Sequence, residues 1–279
     1  MAAMLHNAHH PTLEVEGLTK QFGGLLAVDD VTFQVSQNTV HGLIGPNGAG
    51  KTTVFNMISG VLPATAGSIR LLEEPLDEMP TWERTKRGVA RTFQNIRMFG
   101  DMRVVENVIT GMHSRLESNI GSILIRQGKF KKEEKEAEAR AREQLAFVGL
   151  EQAADRRAGD LSYGDQRRLE IARALASQPK ILLLDEPAAG MNPAETHALI
   201  PLLQKLRDER GLTLLIVEHD MHLVMSLCDR ITVINFGKRI AEGTPAEVRE
   251  HPAVIEAYLG HKADDKKAAG PASRVTHDR

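Results

Sequence analysis

Residues 45–53 of this 279-residue chain read Gly-Pro-Asn-Gly-Ala-Gly-Lys-Thr-Thr, which fits G-x-x-x-x-G-K-[ST]. Few short stretches constrain a fold as tightly. The apolar pair Leu43-Ile44 leads in, and a helical pattern from Thr52 to Ser59 leads out. That is the strand, loop and helix a phosphate-binding P-loop requires. Its glycines let the backbone curl, so that N–H groups along Asn47, Gly48, Ala49, Gly50, Lys51, Thr52 and Thr53 turn inward on phosphate oxygens. The helix N-terminus adds its partial positive charge. In this setting Lys51 reaches the β- and γ-phosphates, and the Thr52 hydroxyl ligates Mg²⁺.

The remaining pattern is α/β. Short β-type segments at Leu13-Glu14-Val15, Val31 to Val35 and Val40 to Ile44 suggest an antiparallel-leaning sheet feeding the P-loop strand. Gly67 to Leu71 and Val89 to Phe93 read as further strands. From about Val104 to Leu150 the signals turn helical, with Val104, Val105, Val108, Ile109 and Met112 at helical spacing. Lys129 to Arg142 is a densely charged helix face with Glu136–Arg140 and Glu138–Arg142 at i,i+4. Strands return at Ile181 to Leu184 and Leu212 to Val217, with helices at Pro193 to Arg210 and Met221 to Leu227. Gly237-Lys238 marks a hairpin, Thr244-Pro245-Ala246-Glu247 starts a helix, and Gly260 suits its stop. The expected fold is an α/β P-loop NTPase core with an antiparallel β subdomain and an inserted α-helical subdomain at about 95–175.

Composition narrows the function. Charged residues make up 26% of the chain and the formal net charge is −2, so no global basic field recruits nucleic acid. Cys228 is the only cysteine, which excludes an intramolecular disulfide and fits a reducing compartment. With Val224 and Leu227 on the same helical face, it reads as a core residue. No apolar run approaches the roughly 18–20 residues that span a bilayer. Residues 1–11, with His6, His9 and His10, and residues 261–279 read as flexible tails around a single domain at 12–260.

Two more stretches carry chemistry. The strand Ile181 to Leu184 ends in Asp185-Glu186, two carboxylates at the carboxyl end of a strand expected beside the P-loop strand. Asp185 would hold Mg²⁺, and Glu186 would take a proton from the attacking water. Leu161-Ser162-Tyr163-Gly164-Asp165-Gln166 opens a second helix. Ser162 with Asp165 fits a capping box, and Gly164 leaves backbone open to an anion at a cost of about 1 kcal/mol against alanine. One nucleotide is not expected to touch both sites within one chain.

Taken together, Gly45 to Thr52, Leu161 to Gln166 and Leu184-Asp185-Glu186-Pro187 resemble the Walker A, signature and Walker B motifs of ABC ATPases. Gln94 resembles the Q-loop and His219 the switch histidine; the likeness runs from about Leu13 to Gly260. The resemblance implies ATP and Mg²⁺, with Lys51, Gln94, Glu186 and His219 catalytic and Thr52, Gln94 and Asp185 around the metal. It implies a head-to-tail dimer, with Ser162, Gly164 and Gln166 of one ATPase closing on the nucleotide held by the other. Phe22 lies where family members stack an aromatic on adenine. Asn192 departs from the widest pattern, which has aspartate there; the amide keeps the shape and loses the charge.

Several stretches are similar to the ATPases of bacterial branched-chain amino acid importers: Leu169 to Arg173, Asp185 to Pro193, Glu218 to Met221 and Val254 to Gly260. That resemblance implies two permease subunits, a second ABC ATPase, most naturally a related chain in a heterodimer, and a periplasmic solute-binding protein. It places the chain peripherally on the cytoplasmic face of the inner membrane. Permease contact is expected near Gln94 to Met102, where Ile96, Met98, Phe99 and Met102 offer an adaptable apolar surface. The ATPase of the lipopolysaccharide-export system shares much of the layout. A soluble ABC ATPase acting on ribosomes or DNA is the rival of another class; the single ATPase module and balanced charge argue against it.

Overall fold

The computed structural model describes residues 11–94, 96–112 and 127–258, with side chains throughout except at 127–132. The tails, the three N-terminal histidines and Gly260 lie outside the described residues.

The chain opens with a long hairpin. Strands β1 (Pro11–Phe22) and β2 (Leu25–Ser36) pair antiparallel across the two-residue turn Gly23-Gly24. The hairpin is longer than the short segments the sequence pattern suggests, because register shifts along β1 absorb its polar interruptions. β4 (Ala66–Leu71) and β5 (Glu74–Pro75) complete an antiparallel sheet in the order β2-β1-β4-β5.

The second sheet carries the chemistry. Its order is β10-β9-β3-β8-β7-β6, with β3 Val40–Ile44, β6 Val89–Arg91, β7 Ile181–Asp185, β8 Thr213–Val217, β9 Arg230–Asn235 and β10 Lys238–Gly243. β10 runs antiparallel to β9; the other pairs are parallel. β3, β7 and β8 are buried on both faces, which is why they read as continuous apolar runs. Leu43, Leu183 and Leu215 face one core beneath the hairpin sheet. Ile44, Leu182, Leu184, Leu214 and Ile216 face the helices. The register pairs Leu43 and Asp185 with Val217, so the chain leaves all three strands at one edge. That edge is where open α/β sheets place their ligands.

Helix α1 (Lys51–Ile58) follows the P-loop directly. Helix α2 (Thr81–Arg87) has no side-chain N-cap to announce it, although Gly88 ends it in a left-handed cap and basic residues fill its last turn. Helices α3 (Val104–Thr110), α4 (Gln127–Phe147) and α5 (Tyr163–Ala176) share one buried apolar cluster with the sheet face. On the charged face of α4, Arg142 pairs with Glu138 at 2.8 Å. Helices α6 (Pro193–Arg210), α7 (Met221–Leu227) and α8 (Pro245–Glu250) follow, and 252–258 is helical. Cys228 is buried, as its helical face predicts.

Candidate active site

The P-loop curls as its glycines allow. A Cβ on Gly45 would lie 2.0 Å from the Ile234 carbonyl oxygen, and one on Gly50 would lie 2.8 Å from that of Ala27. Gly50 takes φ +103°, in the left-handed region that a side chain would strain. Ala49 N–H donates to Pro46 O at 3.2 Å inside the loop, and Gly237 N–H donates to Ala49 O at 3.0 Å from outside it. Lys51 is buried, and its Nζ donates to Gly45 O at 2.6 Å and Pro46 O at 2.9 Å. Burial pushes its pKa below the ordinary lysine value, and the Glu186 carboxylate pulls it back up.

A cavity of about 380 Å³ lies over this loop. Asn47 to Thr53 line it, with Glu186, Leu25, Leu26, Ala27, Phe236 and Gly237. Phe22 does not line it. That ring ends β1 opposite Leu25, 44% exposed, with the Lys20 ammonium 5.2 Å from its centroid. The apolar wall of the cavity is Leu25, Leu26 and Phe236, which the sequence did not single out.

At the ends of β6, β7 and β8 the side chains of Gln94, Glu186 and His219 converge. Gln94 Nε2 donates to Glu186 Oε2 at 2.8 Å, and His219 Nδ1 lies 3.8 Å from Glu186 Oε1. Glu186 itself sits at φ +46°, a left-handed conformation costing a non-glycine residue on the order of 1–2 kcal/mol. Asp185 is paired with Arg91, whose Nη2 donates to Asp185 Oδ2 at 2.7 Å. The Nη1 of Arg91 donates to Asn56 Oδ1 on α1 and to Ser59 Oγ at its C-cap, so one guanidinium ties the carboxylate to the P-loop helix. The exposed Thr52 hydroxyl and the Asp185 carboxylate are hard oxygen donors of the kind Mg²⁺ selects.

The signature stretch stands apart. Ser162 caps α5, accepting Asp165 N–H at 3.2 Å, but the reciprocal half of the expected capping box is not formed. The helix starts at Tyr163, directly after this cap. Gly164 lies against Glu195, where a Cβ would meet Oε1 at 3.0 Å, and Gln166 Nε2 donates to Leu161 O. None of Ser162, Gly164 and Gln166 lines the P-loop cavity. Asn192 caps α6 in a reciprocal box with Glu195, a role that needs its amide oxygen and no charge. Of the four residues expected to meet a permease, Phe99 is 54% exposed, while Met98 packs against the helical core.

Residues 28–189 match the ABC transporter family, and residues 238–264 match the branched-chain amino acid ATP-binding cassette transporter family. The chain belongs to the ABC transporter ATPases. Among curated relatives, BraF of Pseudomonas aeruginosa, a high-affinity branched-chain amino acid transport ATP-binding protein, is 50% identical over 250 residues, covering 90% of this chain and 98% of BraF. LivG of Escherichia coli, of the same description, is 48% identical with the same coverage. The lipopolysaccharide export ATP-binding protein LptB of Escherichia coli is 34% identical over 89% of this chain and 97% of LptB. A nucleotide-free ATP-binding cassette from an ABC transporter superposes with TM-score 0.78 at 34% identity, covering 89% of this chain and 98% of that one. The ADP conformation of such a cassette does equally well. This cassette therefore binds and hydrolyses ATP.

Three further residues hold the site in place. Tyr163 Oη donates to Ala189 O at 2.9 Å, and its ring packs where a Cβ on Gly190 would fall. Arg91 holds Asp185, as described. Glu218 is buried beside His219. A carboxylate immediately after the apolar run of β8 was the available signal for Glu218.

Proposed function

We propose that this cassette is the ATP-hydrolysing subunit of an importer for branched-chain amino acids. The observation that carries the reading is the match at 238–264, joined to 50% and 48% identity over nearly the whole of BraF and LivG. The 34% identity to LptB favours import over lipopolysaccharide export.

The nucleotide's phosphates would occupy the loop 45–53, with Lys51 leaving its carbonyl partners to neutralise charge between the β- and γ-phosphates. Thr52 and Asp185 would hold Mg²⁺, which supplies charge neutralisation at the phosphates. Glu186 would accept the proton of the water that attacks the γ-phosphorus, and the β–γ bridging oxygen leaves with ADP. Gln94 and His219, both at Glu186, would orient that water and the γ-phosphate. Ser162, Gly164 and Gln166 lie outside this cavity and would close on the nucleotide of an opposing ATPase. ATP then favours the closed pair and hydrolysis reopens it. In the assembled transporter the opposing ATPase would be a related chain, two permeases would sit above the pair, and a periplasmic solute-binding protein would deliver the amino acid. The exposed Phe99 would contribute to the permease contact on the cytoplasmic face of the membrane.

The test is affinity purification of the full chain from native membranes in mild detergent, with mass spectrometry of what accompanies it. Two multi-span permeases and a second ABC ATPase are expected. Lipopolysaccharide-export components, or ribosomal or DNA-repair proteins without a permease, would overturn the assignment.

A further inference from the structure

Glu218 has a buried carboxylate with three backbone donors and no place in the reaction as described. It is 1% exposed. Its Oε1 accepts Ala188 N–H at 2.9 Å; its Oε2 accepts the N–H groups of His219 at 3.0 Å and Asp220 at 3.2 Å. The two oxygens therefore grip two different segments. One is the loop that follows Glu186; the other carries His219.

Burying a carboxylate is expensive unless hydrogen bonds satisfy it. An apolar side chain at the end of β8 would fill the space without that cost, but it could not bridge two loops. Charge-assisted bonds from three N–H groups are roughly twice as strong as neutral ones. The neighbourhood uses that strength. Glu186 N–H donates to Val217 O at 2.9 Å, so residues 186–188 are tied to residues 217–218 twice, once through backbone and once through Glu218. On the other side Asp220 caps α7 through the N–H groups of His222 and Leu223, which fixes the far end of the His219 segment. Between these ties Glu186 is held in its left-handed conformation, with His219 Nδ1 at 3.8 Å from one of its oxygens.

We propose that Glu218 is a positioning residue for hydrolysis, setting the distance between Glu186 and His219 by clamping both loops with one carboxylate. It rests on the reading of Glu186 and His219 as reacting groups. Glu218 touches neither nucleotide nor water in this scheme and acts through those two. A glutamine could satisfy only one of the two loops, because its amide N–H₂ would face a donor on the other. Its loss is then felt in turnover and not in nucleotide binding, since the P-loop keeps its own bonds.

The test is a double-mutant cycle on the full chain in its native membrane assembly: Glu218→Gln, His219→Ala and the pair. ATPase rate, KM for ATP and melting midpoint are measured for each. Glu218→Gln is expected to lower kcat by about tenfold or more with KM within about twofold. Adding it to His219→Ala is expected to slow hydrolysis by less than about twofold further, because without the imidazole there is no Glu186–His219 distance left to set. An unchanged kcat, or effects that multiply in the double variant, would overturn the proposal; multiplied effects with a fallen midpoint would make Glu218 a plain structural tie. Glu218→Asp keeps the charge with a shorter reach. It is expected to retain more activity than Glu218→Gln, and it carries the same cycle if Glu218→Gln does not fold. Glu186→Gln run in parallel separates the two failures. Wild-type hydrolysis by that variant and by His219→Ala would remove the site reading itself. Slow hydrolysis by both, with a multiplicative cycle, would remove only the role of Glu218.

Discussion

Residues 45–53 are tied mainly by bonds among themselves, the Lys51 ammonium included, whereas residues 186–191 add to their own backbone bonds side chains sent from three other parts of the chain. The P-loop is one contiguous curl, closed by Ala49 N–H on Pro46 O and by Lys51 on Gly45 and Pro46. The second loop is reached by Gln94 from beyond β6, by Tyr163 from the start of α5 and by Glu218 from the end of β8. The first arrangement suits a group that must meet phosphates the same way every time. The second suits a group whose position reports on distant segments. The expectation is that damage to the first is read in nucleotide binding and damage to the second in turnover.

The largest effect expected on this division is Lys51→Ala. Hydrolysis should fall about 10³-fold, and a fluorescent nucleotide titration should show affinity falling with it. Retained affinity would break the comparison at once. Ser162→Arg comes next: it should block hydrolysis and leave nucleotide binding by the separate chain intact, because Ser162 does not line the cavity. Loss of binding in the separate chain would place the signature stretch at its own P-loop.

A stability test probes what anchors the second region. Arg167 is fully buried, donating to Glu170 Oε2 at 2.8 Å and to the carbonyls of Phe93 and Gln94. Glu170→Ala leaves that guanidinium without its counter-charge and should cost about 3–5 kcal/mol in urea unfolding. A loss below about 1 kcal/mol would mean that the carbonyls alone satisfy Arg167. Tyr163→Phe removes one hydrogen bond and should lower kcat only a few-fold, near 1 kcal/mol, with KM unmoved.

The scaffold beneath the P-loop offers the gentlest test. Burial pushes the His41 imidazole on β3 down to about 3 from 6.5, with the nearby Arg230 charge acting in the same direction, while Nε2 bonds Thr232 Oγ1 at 2.9 Å. The unfolded chain takes up a proton near 6.5 and the folded chain only near 3. The stability tied to neutral His41 is therefore complete above pH 6.5 and shrinks as the pH falls below it, by about 1.4 kcal/mol per unit. His41→Gln should flatten that part of the unfolding profile, measured between pH 6.5 and 5.

This contrast also explains what could be read from the amino acids. The P-loop was legible because its meaning is local: spacing, glycines and a following helix occur within one stretch. Asp185, Glu186 and His219 were legible because each stands at the end of an apolar run, and parallel strands bring those ends together. Arg91 and Tyr163 were not, because each acts on a residue tens of positions away; Glu218 also ends an apolar run, but its partners are backbone N–H groups, which the sequence does not show. The cavity wall shows the same limit. The two-residue turn at Gly23-Gly24 carries Leu25 and Leu26 to it, opposite a hairpin turn that brings Phe236, and no local pattern marks these three. The helix α2 was missed for a different reason, since its cap Pro80 has no side-chain acceptor to announce it.

Glu186→Gln, assayed for nucleotide affinity and hydrolysis in the same membrane assembly, tests the central claim most directly. The variant should bind ATP within about threefold of the unaltered chain and hydrolyse it at least about 100-fold more slowly, leaving the closed ATP-bound pair trapped. Hydrolysis at the unaltered rate would contradict the assignment of Glu186 as the proton acceptor, and with it the reading of residues 186–191 as the reacting side of the site.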